Sequence, residues 1–245
     1  MQSRLGVAAL IAIAALGTPA AGQALPPGFV YLRDIDSSIA QDIRYAGPNN
    51  FIGRALSGYD AAECVLRDVA ARALAAVQVA LVARGLGLKL YDCYRPQRAV
   101  HEMVHWARAV GSSLTDEHFY PRVPRSGLLA QGYIAEHSSH STGLAVDATL
   151  MAQSTTTIGS AGGPCSGPAD DSLDMGTSFD CFDPRSYSAD AAIGVEPKRR
   201  RALLIAAMKR HGFANYRHEW WHFTFFDRLA GPASFDFPIV ARPAR

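Results

Sequence analysis

Histidine and aspartate are the residue types that most readily share a metal ion with open coordination, and this chain spaces them in a way that could do so. His140 and Asp147 lie in Glu136–Thr149, EHSSHSTGLAVDAT. Between them Ser-Thr-Gly is a turn signal and Leu-Ala-Val a strand signal. On such a strand Leu144, Val146 and Ala148 face one side, and Ala145, Asp147 and Thr149 the other. Asp147 is then a carboxylate inside an apolar run, a costly position unless a cation or hydrogen-bond donor satisfies it. A third ligand is available in Glu219-Trp220-Trp221-His222. Zinc takes histidine nitrogen and carboxylate oxygen, and a catalytic site keeps three protein ligands and one open position. His140, Asp147 and His222 would be those ligands. Glu219 would take the proton from a water whose pKa the metal lowers to about 7. Arg95, at the end of a strand, could stabilise an oxyanion. On an ideal strand residues three apart point to opposite faces, so Glu219 must sit in the loop before the strand of His222, or at a bulge.

A second pattern competes. His101-Glu102-Met103-Val104-His105 is a literal HExxH, which on a helix puts two histidines on one face with a glutamate as base. No third-ligand pattern follows it. The plainer reading is a solvated helix face, with Arg98 and Glu102 paired at helical spacing.

Periodicity supplies the elements that must position these residues. Arg67–Arg84 carries Val69, Ala73, Val77, Ala80 and Leu81 on a helical period, stopped by Gly85. Leu86–Tyr94 alternates as a strand and ends at Arg95-Pro96, where proline forces Arg95 out of helical geometry. A helix is expected over Gln97–Val110. Residues 111–132 are irregular and suit a flap or cleft wall, and DIRY (Asp42–Tyr45) reads as a short strand. The Gly-, Ser- and Asp-rich stretch 151–183 is a long loop of the kind that is usually functional or disordered. Lys198–His211 should be a helix with Ala202, Leu203, Ile205, Ala206 and Met208 for the core, and the run Lys198–Arg201 on its solvated face. Trp220–Phe226 reads as an aromatic strand. Strands and helices without a regular βαβ rhythm indicate a single α+β domain: a mixed or antiparallel central sheet with helices on one side.

Composition sets the setting. Residues 1–24 have one basic residue, an apolar run from Leu5 to Leu16 and then small residues, the pattern of a cleaved signal peptide. The run is too short for a comfortable membrane span. The mature chain would be residues 25–245, periplasmic or secreted, with no membrane span after cleavage. A formal charge of +2 falls to +1 without Arg4, which excludes an electrostatic nucleic-acid binder. Four cysteines in an exported chain indicate two disulfides. Cys165 and Cys181 bracket a polar loop, leaving Cys64 with Cys93, yet three pairings are open on sequence alone. A four-cysteine zinc site is disfavoured because no CxxC is present.

Several separated segments together resemble one family. They are YDCYRPQRA (Tyr91–Ala99), SSHSTGLAVDATL (Ser138–Leu150), DMGTSFD (Asp174–Asp180), EWWHF (Glu219–Phe223) and DIRYAGPNNFIGR (Asp42–Arg54). The pattern S-x-H-x-x-G-x-A-x-D is met by Ser138, His140, Gly143, Ala145 and Asp147. The chain thus resembles the zinc D-alanyl-D-alanine dipeptidases, within the wider D,D-peptidase and hedgehog-like fold group. The resemblance implies one zinc per chain on His140, Asp147 and His222, Glu219 as general base and acid, and Arg95 at the transition state. It also implies that Asp180, helped by the Tyr45 hydroxyl, holds the substrate's ammonium, and that Ser138 contacts the dipeptide near its carboxylate. His137 and His218 flank the ligands without joining them, and Trp220 and Trp221 serve as cleft wall and core. The implied reaction is hydrolysis of D-Ala-D-Ala. The alternative is a D,D- or L,D-carboxypeptidase acting on peptidoglycan stem peptides, which would need the Asp180–Tyr45 side open; a binding module that keeps the fold would lack the base or a ligand. Cys165 and Cys181 are not matched by the family pattern, and a disulfide there would pin the loop carrying Asp180.

Overall fold

The apolar runs of the sequence meet in a five-stranded sheet. A computed structural model of the chain describes residues 24–111, 113–153, 164–167, 170–227 and 233–243. The signal peptide expected over residues 1–24, apart from Ala24, and the middle of the 151–183 loop lie outside the described residues. The strands are β1 (Phe29–Tyr31), β2 (Ala40–Gln41), β3 (Val65–Arg67), β4 (Leu86–Asp92), β5 (Ala145–Ala152), β6 (Phe213–Asn215) and β7 (His222–Phe225). The helices are α1 (Leu32–Ile35), α2 (Asp68–Val82), α3 (Gln97–Arg108) and α4 (Val195–Arg210). The sheet order is β2-β4-β5-β7-β6, with β2 parallel to β4 and every other pair antiparallel. β1 and β3 form a separate antiparallel pair. This is the mixed sheet of an α+β domain, and no helix among the described residues is long and apolar enough to cross a membrane.

α2 and α4 pack on the sheet and on each other. Their buried stripes differ in part from those the periodicity suggests. In α2, Val77 and Leu81 are buried as expected, but Val69 is 46% exposed, and Ala70, Ala71, Leu74 and Gln78 complete the stripe. Gln78 is buried because its amide oxygen accepts the Leu88 N–H at 2.8 Å, replacing a water. In α4 the stripe is Pro197, Arg201, Leu204 and Met208, while Ala202 and Ala206 are exposed. Arg201 therefore does not belong to a solvated face. It is fully buried, and its guanidinium donates to the carbonyls of Met175, Arg185 and Tyr187 at 2.7–2.9 Å. A buried cation is tolerated there because it stitches a loop that has no ladder of its own.

Two strand expectations are corrected by side chains that capture the backbone. DIRY is not a strand: β2 ends at Gln41, and Arg44–Ala46 is a 3-10 turn. The Asn50 side-chain amide gathers the carbonyls of Arg44, Gly47 and Arg54, fixing a loop where a ladder would run. The aromatic strand starts at His222 instead of Trp220. Asn215 donates to the carbonyls of Glu219 and His222, which holds 216–221 as a tight connection between β6 and β7. Disulfides join Cys64 to Cys93 and Cys165 to Cys181.

Gly143 closes the 3-10 turn Ser139–Thr142 in the left-handed conformation, at φ +74°. A Cβ at this position would run into the Phe29 ring. Gly143→Ala should cost roughly 2 kcal/mol or more through strain and overpacking together, read as a lower midpoint in equilibrium denaturant unfolding.

Candidate active site

β-pairing sets three polar residues on one rung across the sheet. Asp92 of β4 pairs with Asp147 of β5, and Asp147 pairs with His222 of β7. A register shift between Leu90 and Asp92 makes this possible. Without it, strict alternation would leave Asp92 on the face of Leu88 and Leu90, as the sequence pattern suggests. The bulge turns the carboxylate toward the site.

His140 comes from the 3-10 turn that leads into β5. The Ser138 hydroxyl caps that turn by accepting the His140 N–H at 3.3 Å. His140 Nδ1 lies 2.7 Å from the Cys93 carbonyl, which can only accept, so Nδ1 carries the hydrogen and Nε2 presents a lone pair. His222 Nε2 lies 3.0 Å from Ser139 Oγ and 3.3 Å from Thr224 Oγ1, leaving Nδ1 turned inward. His140 Nε2, His222 Nδ1 and Asp147 Oδ1 then form a triangle with sides of 3.1–3.2 Å. Ligands at about 2.0–2.2 Å around a tetrahedral ion stand roughly 3.3–3.6 Å apart. The observed triangle is within a few tenths of an ångström of that, and its two imidazoles and one carboxylate are the donors such an ion takes. The residues present fit a metal.

The triangle forms part of the wall of a cavity of about 380 Å³. Arg95, Glu219, Asp180, Tyr45 and Ser138 line the same cavity, so the sequence-derived site residues are brought together. Glu219 lies in the connection before β7, which removes the conflict between residues three apart on one strand. Arg95 donates through Nε to Asp92 at 2.9 Å, approaches Asp147 at 3.7 Å and stacks its guanidinium on the Tyr45 ring at 4.7 Å. The Tyr45 hydroxyl lies 3.0–3.1 Å from both oxygens of the buried Asp180. Of the two tryptophans expected as cleft wall and core, Trp221 is the cavity wall and Trp220 the core.

Electrostatics sharpen the picture. Asp92, Asp147, Asp180 and Glu219 are all buried, and Arg95 is the only arginine or lysine lining the cavity among the described residues. Burial, with Asp147 and Asp180 close by, pushes the Glu219 carboxyl well above its usual range. Burial and Asp147 do the same to Asp180. Burial also works to raise Asp147, but His140 and His222 outweigh it and hold that carboxylate far below the usual range. Burial lowers His222, favouring the neutral imidazole that a metal needs. Three carboxylates line the cavity against one guanidinium, which Asp92 already engages from outside, so the cavity is short of positive charge, and a divalent ion plus an ammonium would supply it.

A sequence profile of the D-ala-D-ala dipeptidase family matches residues 26–240. The chain is 34% identical over 212 residues to D-alanyl-D-alanine dipeptidases of Enterococcus faecium and Streptomyces coelicolor, which covers 86% of this chain and 98% of each relative. It is 29% identical over 201 residues to the D-alanyl-D-alanine dipeptidase of Escherichia coli, covering 82% of each. The chain belongs to the D-ala-D-ala dipeptidase family. Members are metal-dependent peptidases, and His140, Asp147 and His222 are the group that could hold an ion among the described residues.

The histidines and glutamate of the HExxH motif lie outside the cavity. His101 and His105 are exposed on α3, away from the cavity. Glu102 does not pair with Arg98; it accepts the Ser57 N–H at 2.8 Å and pairs with Arg54, while Arg98 pairs with Asp236 at 3.0 Å. The long-range partners win because each brings a loop to the helix. His137 stands at the cavity rim, and His218 stacks on Tyr187; neither reaches the triangle.

Asp92 is the site residue that sequence reasoning missed. It is fully buried, accepts from Tyr59 at 2.7 Å and from Arg95, and lies 3.5 Å from His140 Nδ1. Its signal was present, a carboxylate inside an apolar strand like Asp147, but the bulge that aims it is not visible in alternation. Metal analysis checks the choice of motif: the purified chain should hold one equivalent, His140→Ala should lose it, and His101→Ala should keep it. Loss in the His101 variant alone would reverse the assignment.

Proposed function

We propose that this protein hydrolyses the dipeptide D-Ala-D-Ala to two molecules of D-alanine, with one zinc ion held by His140, Asp147 and His222. The observation that carries the reading is one small cavity that holds the His140–Asp147–His222 triangle and Glu219 together with the buried carboxylate of Asp180 and its partner Tyr45. When bound, the metal supplies Lewis acidity at the scissile carbonyl and lowers the pKa of the attacking water.

The chain's own residues do the rest. The Glu219 carboxylate takes a proton from the water and delivers it to the departing amine, so one group serves as base and then acid. Its burial keeps its proton affinity high enough for the second step. The Arg95 guanidinium, fixed by Asp92, faces the negative charge that develops on the carbonyl oxygen. Asp180 binds the free amino group, and Ser138 contacts the carboxylate end. A longer peptide brings no ammonium to Asp180 and would leave a buried carboxylate unpaired, a mismatch that discriminates strongly. That arrangement supports a dipeptidase over a carboxypeptidase acting on stem peptides.

Purified mature protein should cleave D-Ala-D-Ala and lose activity to a chelator, and should leave a D-Ala-terminated pentapeptide largely intact. Comparable rates on both substrates would sink the dipeptidase reading. Glu219→Ala should lower kcat by roughly 100- to 10,000-fold with the metal still bound.

The apolar run near the N-terminus supports export, and the two disulfides suit an oxidising compartment. The protein then acts in the periplasm or outside the cell, on D-Ala-D-Ala present there. Fractionation followed by N-terminal sequencing should find the protein outside the cytoplasm and beginning at Leu25; an intact Met1 in the cytoplasm would overturn this.

A further inference from the structure

Asp180 and Cys165 are the two non-glycine residues with positive φ among the described residues, at +60° and +65°. They meet in one construction. Ser178 N–H donates to the Cys165 carbonyl at 2.9 Å, and Cys181 is joined to Cys165 by a disulfide. The four-residue loop Ser178–Cys181, with Asp180 inside it, is therefore tied at both ends to the same residue. Cys165 is itself anchored, its N–H donating to the Glu117 carbonyl at 2.9 Å. Just beyond the loop, Phe182 N–H donates to the Phe119 carbonyl, and the buried Asp183 pairs with Arg122 and Arg185.

The Asp180 carboxylate has weaker fixings of its own. The Tyr45 hydroxyl, which has one hydrogen to give, stands about equally far from both oxygens. A left-handed φ is disfavoured for any residue with a Cβ, and a free loop would relax from it and re-aim the side chain. Strain of this kind persists only where the surroundings over-determine it.

We propose that the Cys165–Cys181 cross-link is a positioning and specificity-determining element: it holds Asp180 aimed into the cavity as a fixed, unyielding carboxylate. This rests on the reading above that Asp180 takes the substrate's ammonium. A carboxylate that cannot swing aside both orders the dipeptide and rejects a peptide that lacks the ammonium. Releasing the clamp lets Asp180 leave its position, so the good substrate loses affinity and the poor one is no longer repelled.

The test uses the metal-loaded mature chain with the double substitution Cys165→Ala and Cys181→Ala. D-Ala-D-Ala is compared with N-acetyl-D-Ala-D-Ala, which has no ammonium. KM for the free dipeptide should rise about tenfold or more with a smaller change in kcat, and the ratio of kcat/KM values for the two substrates should fall about tenfold, at unchanged metal content. A cross-link that only stabilises the fold lowers both substrates in proportion; that outcome, or no change, overturns the proposal. Asp180→Asn in the cross-linked chain separates the two readings. If it leaves KM unchanged, the ammonium reading fails; if it raises KM while the double cysteine variant does not, the clamp alone fails. Should the double variant not fold, the native chain is reduced, alkylation maps which pair has opened, and the substrate ratio is measured before reduction, after it and after re-oxidation. A ratio that falls when Cys165–Cys181 opens and recovers when it closes supports the clamp, and a ratio indifferent to it does not.

Discussion

The structure depends on one electrostatic constraint: three buried carboxylates, Asp147, Asp180 and Glu219, share a small cavity with a single guanidinium that a fourth, Asp92, holds from outside the lining. Burial first, and the neighbouring carboxylates second, raise the proton affinity of Glu219 and Asp180. Asp147 escapes because two imidazoles face it. The cavity is thus electrostatically incomplete in a way that suits cationic contents, the divalent ion and the ammonium of the proposed reaction. The same shortage of positive charge that makes the site unfavourable by itself would make it a receptor for those groups.

Holding like charges together takes a scaffold that cannot relax. The rung Asp92–Asp147–His222 is fixed by the ladders of three adjacent strands, with α2 and α4 packed on the sheet. One bulge in β4 supplies Asp92, which fixes Arg95 from behind. The remaining groups come from short connections that are each over-determined. Ser138 and Gly143 delimit the turn of His140, and Asn215 binds the carbonyls around Glu219.

The stretch of chain that carries Asp180 follows another rule, because it is irregular and without a ladder. Its backbone groups are satisfied by buried side chains and by other loops: Arg201 collects three carbonyls, Asp183 accepts from two arginines, and 117–119 bonds to 165 and 182. The second disulfide cross-links this irregular chain. Rigid sheet and stitched loops divide the labour: Asp147 and His222 stand on the first, His140 on a turn leading into it, and Asp180 on the second.

The sequence alone determined the chemistry: residue types, the His140–Asp147 spacing around a glycine turn, the distant Glu219–His222 pair and the alternation that made a sheet. These are local properties, carried by propensity and by the cost of placing a carboxylate in an apolar run. It also implied, through several ordered motifs, that Arg95, Asp180 and Tyr45 belong with them. Tertiary structure decided what local pattern cannot encode. Register and a bulge put Asp92 into the site, although alternation assigned it to the other face. Long-range partners took Glu102 from Arg98 and buried Arg201 within a run of charges that reads as solvent-facing. Pairing among four cysteines and the left-handed Asp180 likewise depend on which segments meet in space. Contacts between residues far apart in the chain carry no period, so only the folded chain could settle them.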